Sequence, residues 1–560
     1  MNKDKQKLNY NQSLEKRNRI DHSISSIENL PNELFNEIFD YLGACHMHQV
    51  FSNLNYRFQR LIKSSSLLFK ITFRRSTSEQ MIRVNNNQIL SIHFLSSKHT
   101  KMISLFNFDS SFIRLESLIF HSIKPDILIS LLSKLIHLPR LFSLTINIDN
   151  ISADLTDIYR SIFDLPKLKY IRFFAMEPEV SVSMPLCIHK QINNIKYLIM
   201  NHSITLNNLF SILSYTTQIE HLSFTHKRSS TFNVGFMSPI ILPNLTYLAI
   251  YETDLKFGVF EIFITKIHSK LKVLSLESQA EDMNYLNADR WEKFILKYLS
   301  QLEKLYFTCE FREHRHRNKR HMSTSNSFNS SFWIERQWIF ETEIHLDIFI
   351  YSIHPYKKRW FEYDSQYNMI NSSKFMQIVF TIICYTDEWY YLRRILTAGE
   401  VYHLKINNDE IFSTELIRML SLLPYLDSLQ LSSLRLSNLT TMINEERKLL
   451  PTVTCQNQIT KVYLRKMNQI EDIYFLIDQC PRMTYLKVDF SNHMDIEDNI
   501  PKILMKINTK YNHHIRLLCF RVVVADEKLV ENLKRMIHFE KFLFDYKVKR
   551  VFDDIYIEWK

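Results

Sequence analysis

The chain has 560 residues, 46% of them hydrophobic and 23% charged, a balance that excludes wholesale disorder. Its net charge of +11 is modest for this length and scattered, so it permits an acidic partner without demanding nucleic acid. The 4 glycines (Gly43, Gly235, Gly258 and Gly399) lie far apart, which excludes the paired-glycine loops that cradle phosphates or carry an elbow nucleophile. In chain order, residues 1–25 are polar and rich in Lys, Arg and Asn and read as a flexible basic tail with no apolar core of a secretory signal.

Residues 26–70 read as a compact helical domain. Pro31 stands where the first helical N–H would be unpaired anyway, and Glu33 lies in the first turn, favoured by the helix dipole. Leu34, Ile38 and Leu42 then recur at every fourth position with Phe35 and Phe39 beside them, a wider apolar stripe than one small-bundle helix needs internally. Gly43 ends this helix, and Val50, Phe51, Leu54, Phe58, Leu61 and Ile62 make two further short runs. The segment resembles the F-box: Leu30, Pro31 and Glu33 match the family's opening LPxE, Leu34, Ile38 and Leu42 its first-helix apolar positions, and Tyr41 its usual tyrosine. It departs at His46-Met47 and in Asn53–Arg60, which replaces a Cys-Arg-Trp run. The resemblance implies docking on a Skp-type adaptor of a Skp–cullin–F-box ubiquitin ligase through Leu30, Pro31, Glu33, Leu34, Ile38 and Leu42. Without the resemblance, 26–70 reads as a cap over the first repeat.

Residues 80–310 carry an apolar-x-x-apolar-x-apolar hexad nine times. The first apolar residues are Ile89, Leu115, Leu141, Leu168, Ile195, Ile219, Leu245, Leu271 and Leu302, with spacings of 26, 26, 27, 27, 24, 26, 26 and 31. A nearly constant period makes this a repeat. Helical-period stretches lie between hexads at 126–137, 155–163, 206–215 and 291–299, and prolines such as Pro139, Pro166 and Pro243 end a helix ahead of the next hexad. A strand plus a helix every 20–29 residues or so resembles the leucine-rich repeat, although the family's Asn or Cys place is taken by Ile123, Asp149, Met176, Ser203 and Lys227 in successive units. The expected fold class is α/β: a three-helix F-box, then an elongated leucine-rich-repeat-like solenoid, a curved parallel sheet with helices outside.

Residues 311–332 are basic, then Ser/Asn-rich, and read as an exposed loop. Residues 333–400 read as an enlarged repeat containing a hairpin, with one strand over 338–353, its turn at 354–358 and a return strand at 359–363. Ile344, Leu346, Ile348 and Ile350 are assigned to one face, and His345, Asp347 and Phe349 to the other. Residues 401–560 resume the array and a cap, with hexads starting at Val401, Leu426, Ile459, Met483 and Ile515 and helical stretches at 413–423 and 470–478.

The outward hexad positions include Tyr170, Arg172, Tyr197, His221, Tyr247, Tyr306, His403, Lys405, Tyr463, Tyr485 and Lys487, with Glu277 and Asp489 as acidic exceptions. Tyrosines and cations there read equally as anchors for a bound substrate protein and as residues of high strand propensity. His314, His316 and His321 lie among arginines that repel a dication, so no metal or other cofactor is expected. The 315–320 run reads as a charged loop before a nuclear signal, and Cys45 as a buried small residue before a nucleophile. Seven cysteines without a CxxC pair indicate a reducing compartment, and no apolar stretch is long enough to span a bilayer, so a cytoplasmic or nuclear protein is expected. The leading expectation is a non-enzymatic substrate receptor with Skp-type adaptor, cullin and protein substrate as partners, and no membrane. The alternative is a nucleic-acid-binding or scaffold repeat protein, carried by the basic excess and stacking tyrosines.

Overall fold

The computed structural model describes residues 30–42, 47, 50–51, 53–64, 68–73, 85–96, 103, 106–148, 154–175, 182–185, 193–226, 239–279, 282–312, 328, 330–345, 348–357, 359–360, 377–380, 401–407, 409–436, 457–490, 496–508, 514–522 and 527–560. The tail 1–25, most of the basic loop (including His314, His316 and His321) and Cys45 lie outside them. The chain divides into two compact units, residues 1–183 with 193–195, and residues 184–192 with 196–560.

The first unit opens with helices α1 (Asn32–Tyr41) and α2 (Tyr56–Lys63), followed by β1 (Phe69–Phe73), β2 (Ile89–Phe94), β3 (Ser117–Ile123), α3 (Pro125–Leu135), β4 (Ser143–Ile148), α4 (Thr156–Phe163) and β5 (Tyr170–Ala175). The five strands pair in parallel in chain order. Strands β3, β4 and β5 each start two residues into their hexads, so the hexad's fourth and sixth residues point the same way. Leu118, Phe120, Leu144, Ile146, Ile171 and Phe173 are buried accordingly. Stacked Phe94 and Phe120, with ring centroids 5.3 Å apart, carry the same column between strands. Gln88, itself buried, donates to the carbonyls of Ile62 (3.0 Å) and Ser64 (2.7 Å), satisfying the end of α2 and tying it to β2.

The second unit contains β6 (Tyr197–Ile204), α5 (Leu206–Tyr215), β7 (His221–His226), the short β8 (Ile240–Ile241), β9 (Tyr247–Thr253), α6 (Phe257–Lys266), the short β10 (Ile267–His268), β11 (Val273–Ser278), α7 (Ala288–Tyr298) and β12 (Lys304–Arg312). Here β6, β7, β9, β11 and β12 pair in parallel. From strand to strand within this unit, one carbonyl just ahead of a strand accepts two successive N–H groups of the next: Glu220 from Thr246 and Tyr247, Thr246 from Lys272 and Val273, and Lys272 from Glu303 and Lys304. This main-chain step joins successive strands where the sequence lacks an asparagine ladder.

After α8 (Ser331–Glu335), β13 (Trp338–His345) and β14 (Ile348–Pro355) form an antiparallel hairpin, β14 lying against β12. This corrects the expected hairpin. What reads as one strand over 338–353 is two, Trp338–His345 and Ile348–Pro355, paired antiparallel, and His354-Pro355, expected in the turn, belong to the second of them. The chain reversal also changes the faces: Phe349, Tyr351 and Ile353 are buried, while Ile348 and Ile350 are only partly so. The parallel order resumes from β13 through β15 (Gln377–Phe380), β16 (His403–Ile406), β18 (Ser428–Arg435), β19 (Lys461–Lys466), β20 (Tyr485–Asp489) and β21 (Leu517–Arg521). The short β17 (Ile411–Phe412) and helices α9 (Ser413–Ser421), α10 (Ile470–Gln479), α11 (Ile496–Asn508) and α12 (Glu527–Phe539) intervene. The antiparallel strands β23 (Asp554–Trp559) and β22 (Tyr546–Val551) follow at the end of the order. Among the described residues no helix is long and apolar enough to cross a membrane.

Candidate functional site

In the first unit, α1 is amphipathic in an unusual direction. Phe35 and Phe39 turn inward onto Phe51 and Phe58, all four buried, as are Met47 and Ile62, and Phe35 packs edge-on against Phe58 at 4.8 Å between centroids. Arg57 crosses back from α2. Its Nη2 donates to the Leu30 carbonyl at 2.5 Å, its Nε to Asn32 Oδ1 at 2.9 Å, and its guanidinium lies over the Phe35 ring. The Leu30-Pro31 entry to α1 is thereby held against the aromatic cluster.

The opposite side of α1 is left uncovered. Pro31 and Glu33 are exposed, Leu34 is 42% exposed, and Leu30, Ile38 and Leu42 are half-buried. Nearby in sequence, Val50 and Leu54 are each 54% exposed and Tyr56 is 74% exposed. An exposed apolar strip on a helix whose other face is saturated with phenylalanine is suited to a protein partner rather than to chemistry.

The outward hexad residues separate into two groups. In the first unit Tyr170 is half-buried, and the exposed Arg172 has its guanidinium over the Phe174 ring. In the second unit Tyr197, His221 and Tyr247 form a ladder across β6, β7 and β9, with His221 and Tyr247 stacked at 3.9 Å between centroids. Tyr197 is 40% exposed and, further along, Tyr306 on β12 is 39% exposed. Burial lowers the His221 pKa.

Further along the same sheet, the chain covers its own face. His403, Tyr463, Tyr485 and Lys487 are buried. Arg359 hydrogen-bonds His403, whose other ring nitrogen meets Ser428 Oγ at 2.7 Å. The adjoining Trp360 lies against Tyr463 and Tyr485. Lys487 Nζ pairs with Asp554 of β23 at 2.8 Å, and Tyr463 donates to Asp489 at 2.8 Å. Lys405 is half-buried, its pKa lowered by desolvation and by Arg465. Beside them the Glu341–His354 pair closes at 3.1 Å. These four residues, expected to face a substrate, instead contact the chain's own 359–360 segment and final hairpin.

Sequence reading noted Glu277 as an acidic exception but missed the two acids near it, Glu252 and Glu310. Glu252 on β9, Glu277 on β11 and Glu310 on β12 are neighbours. Burial raises the Glu277 pKa, and the charges of Glu252 and Glu310 add to the rise. Glu252 sits at a left-handed kink (φ 49°) where the β9–β11 register shifts, and Glu310 lies beyond its hexad on a lengthened strand, so the repeat pattern gives no sign of either. Cys309, Cys480 and Cys519 are buried free thiols, the latter two pushed up to about 12 by burial, which makes them inert. Among the described residues no three His, Cys, Asp or Glu side chains gather as a metal site would require.

The F-box domain family model matches residues 27–70, the segment holding α1, α2 and the phenylalanine cluster, so this part of the chain is an F-box domain. An F-box implies binding of a Skp-type adaptor, and proteins that carry one are typically non-catalytic receptors. No curated protein matches the chain.

Proposed function

We propose that the chain is the substrate-recognition subunit of a Skp–cullin–F-box E3 ubiquitin ligase. The F-box strip of Leu30, Pro31, Glu33, Leu34, Ile38 and Leu42 docks on the Skp-type adaptor. The units that follow are divergent leucine-rich repeats, and their outward strand face binds the protein to be ubiquitinated. Catalysis belongs to other subunits. The observation that carries this reading is the F-box match at 27–70 together with the exposure of Pro31 and Leu34 beside a fully packed interior. The acidic row on the exposed sheet face speaks against the phosphate backbone of a nucleic acid as its ligand.

The test is a Leu30→Ala, Pro31→Ala double variant assayed for adaptor pull-down and melting temperature. Truncating central interface anchors should cost about 2–4 kcal/mol of adaptor binding and leave the melting of the sheet units unchanged. Undiminished pull-down would remove the assignment. A lower melting temperature with no adaptor bound even by the parent chain would make 26–70 a cap instead.

A further inference from the structure

β22 uses only one side of its main chain for pairing. Trp559 of β23 donates its N–H to the Arg516 carbonyl, just ahead of β21, at 3.1 Å. Main-chain groups along an antiparallel strand alternate in direction, so Ile555, Ile557 and Trp559 bond toward β21, and Asp554, Tyr556 and Glu558 toward β22. Their register partners on β22 are Val551, Lys549 and Lys547. Tyr546, Val548 and Arg550 therefore turn their N–H and C=O groups to the other side, where β22 pairs with no strand among the described residues.

Proteins blunt such an edge by shortening the strand, bulging it, placing a proline in it or charging it. β22 is 6 residues long, holds no proline and keeps its register with β23 without a shift. Charge is the device used here: Lys547, Lys549 and Arg550 are exposed, and β22 contains no acid. Arg550 is steadied along the edge by a bond from its Nε to the Phe552 carbonyl at 3.0 Å. Of the acids nearby, Asp545 meets Lys560 at 2.5 Å, Asp554 meets Lys487 at 2.8 Å, Glu558 stands opposite Lys547 on the β23 side, and Asp553 lies in the turn. Unlike a bulge or a proline, charge blocks selectively. It turns away a cationic strand and leaves the main-chain groups open to an anionic one. Two rings mark the ends of the edge: Phe544, 81% exposed, shortly ahead of β22, and Phe552, 89% exposed, in the turn after it. Phe552 has φ 55°, in the left-handed region that favours glycine, and its ring is nevertheless held out in water.

We propose that the open edge of β22 takes an extended acidic segment of a partner protein by strand addition. Side chains directly opposite each other on neighbouring strands share a face and touch, so the acids belong opposite Lys547, Lys549 and Arg550. Along an antiparallel segment that pattern is two consecutive acids, one spacer and a third acid, with apolar residues at the ends to cover Phe552 and Phe544. The site involves none of the F-box residues, so neither reading depends on the other.

The experiment uses the full chain and three fluorescein-labelled peptides, read by fluorescence anisotropy. The first carries Glu-Glu-Val-Glu between phenylalanines, the second has lysine for each glutamate, and the third has proline for the valine. The first should bind and the second should not. The third should bind about tenfold more weakly than the first, a loss of about 1.4 kcal/mol, because proline lacks the N–H that meets the Val548 carbonyl. A Lys547→Glu, Arg550→Glu double variant should reverse the preference between the first two peptides. Lys547→Gln and Arg550→Gln single variants, each binding the first peptide more weakly, serve if the double variant melts early. Amide hydrogen exchange over 546–551 should slow when the first peptide is bound. Failure of the parent chain to bind the first peptide, equal binding of the proline peptide, unchanged exchange over 546–551, or undiminished binding by the charge variants overturns the proposal.

Discussion

The indole of Trp360 lies 5.2 Å from the ring of Tyr463, centroid to centroid, with its other neighbour Tyr485 at 5.7 Å. A residue far from both in sequence thus sits on the tyrosines of two successive strands, β19 and β20.

Removing that ring should therefore be felt twice. Aromatic pairs contribute about 0.5–1.5 kcal/mol each beyond area burial, so Trp360→Ala should lower unfolding free energy by about 1–3 kcal/mol in urea titrations, and Trp360→Phe should restore most of it. An unchanged midpoint for Trp360→Ala would mean that the segment rests on the face without stabilising it.

Core and face positions of the sheet should behave oppositely. Leu248 is 1% exposed while Tyr197, on the outward side of a nearby strand, is 40% exposed. Leu248→Ala should cost about 2–5 kcal/mol, and Tyr197→Ala should stay within about 0.5 kcal/mol, both read from chemical denaturation. A large loss for Tyr197→Ala would make the Tyr197–His221–Tyr247 ladder structural.

Acid should weaken the second unit through two buried histidines. Burial lowers the pKa of His202 and of His226 from 6.5 to about 4; the Ser203 carbonyl and the Asp254 charge oppose the shift without cancelling it. Above pH 6.5 both are neutral whether folded or not, and stability is complete. As pH falls from 6.5 toward 4 the unfolded chain takes up protons that the folded chain refuses, so stability declines, by up to about 3 kcal/mol per histidine. Melting temperature measured across that range should fall less steeply for His226→Gln than for the parent chain. Identical slopes would place the acid response elsewhere.

The repeating part of the molecule was legible because it obeys a period. Hexad positions such as Leu144, Ile171 and Leu248 are buried because a strand's alternate residues must share a face, and the helical stretch at 206–215 matches α5 residue for residue. The aperiodic parts were not legible. The hairpin was misplaced because the apolar alternation runs unbroken in sequence from Ile344 to Ile350, although Trp338–His345 and Ile348–Pro355 are separate antiparallel strands. His403, Tyr463, Tyr485 and Lys487 read as open because strand alternation assigns a side, and nothing local to a strand tells that Arg359, 44 residues from His403, or Trp360, or Asp554 of the final hairpin will lie against it. The F-box was legible as a motif, yet the clasp of Arg57 on Leu30 joins residues 27 apart on different elements, a contact that no spacing rule announces.

The strand order of the second unit stops at β22, which pairs with β23 on one side and, among the described residues, with nothing on the other. A free strand edge is a template on which a second molecule can add, and then a third. Here that edge bears exposed Lys547, Lys549 and Arg550. An identical strand laid alongside would bring like charges together at each step, so filament growth from this end is opposed electrostatically. The protection should fade with added salt, which makes turbidity at high ionic strength the condition under which self-association would first show.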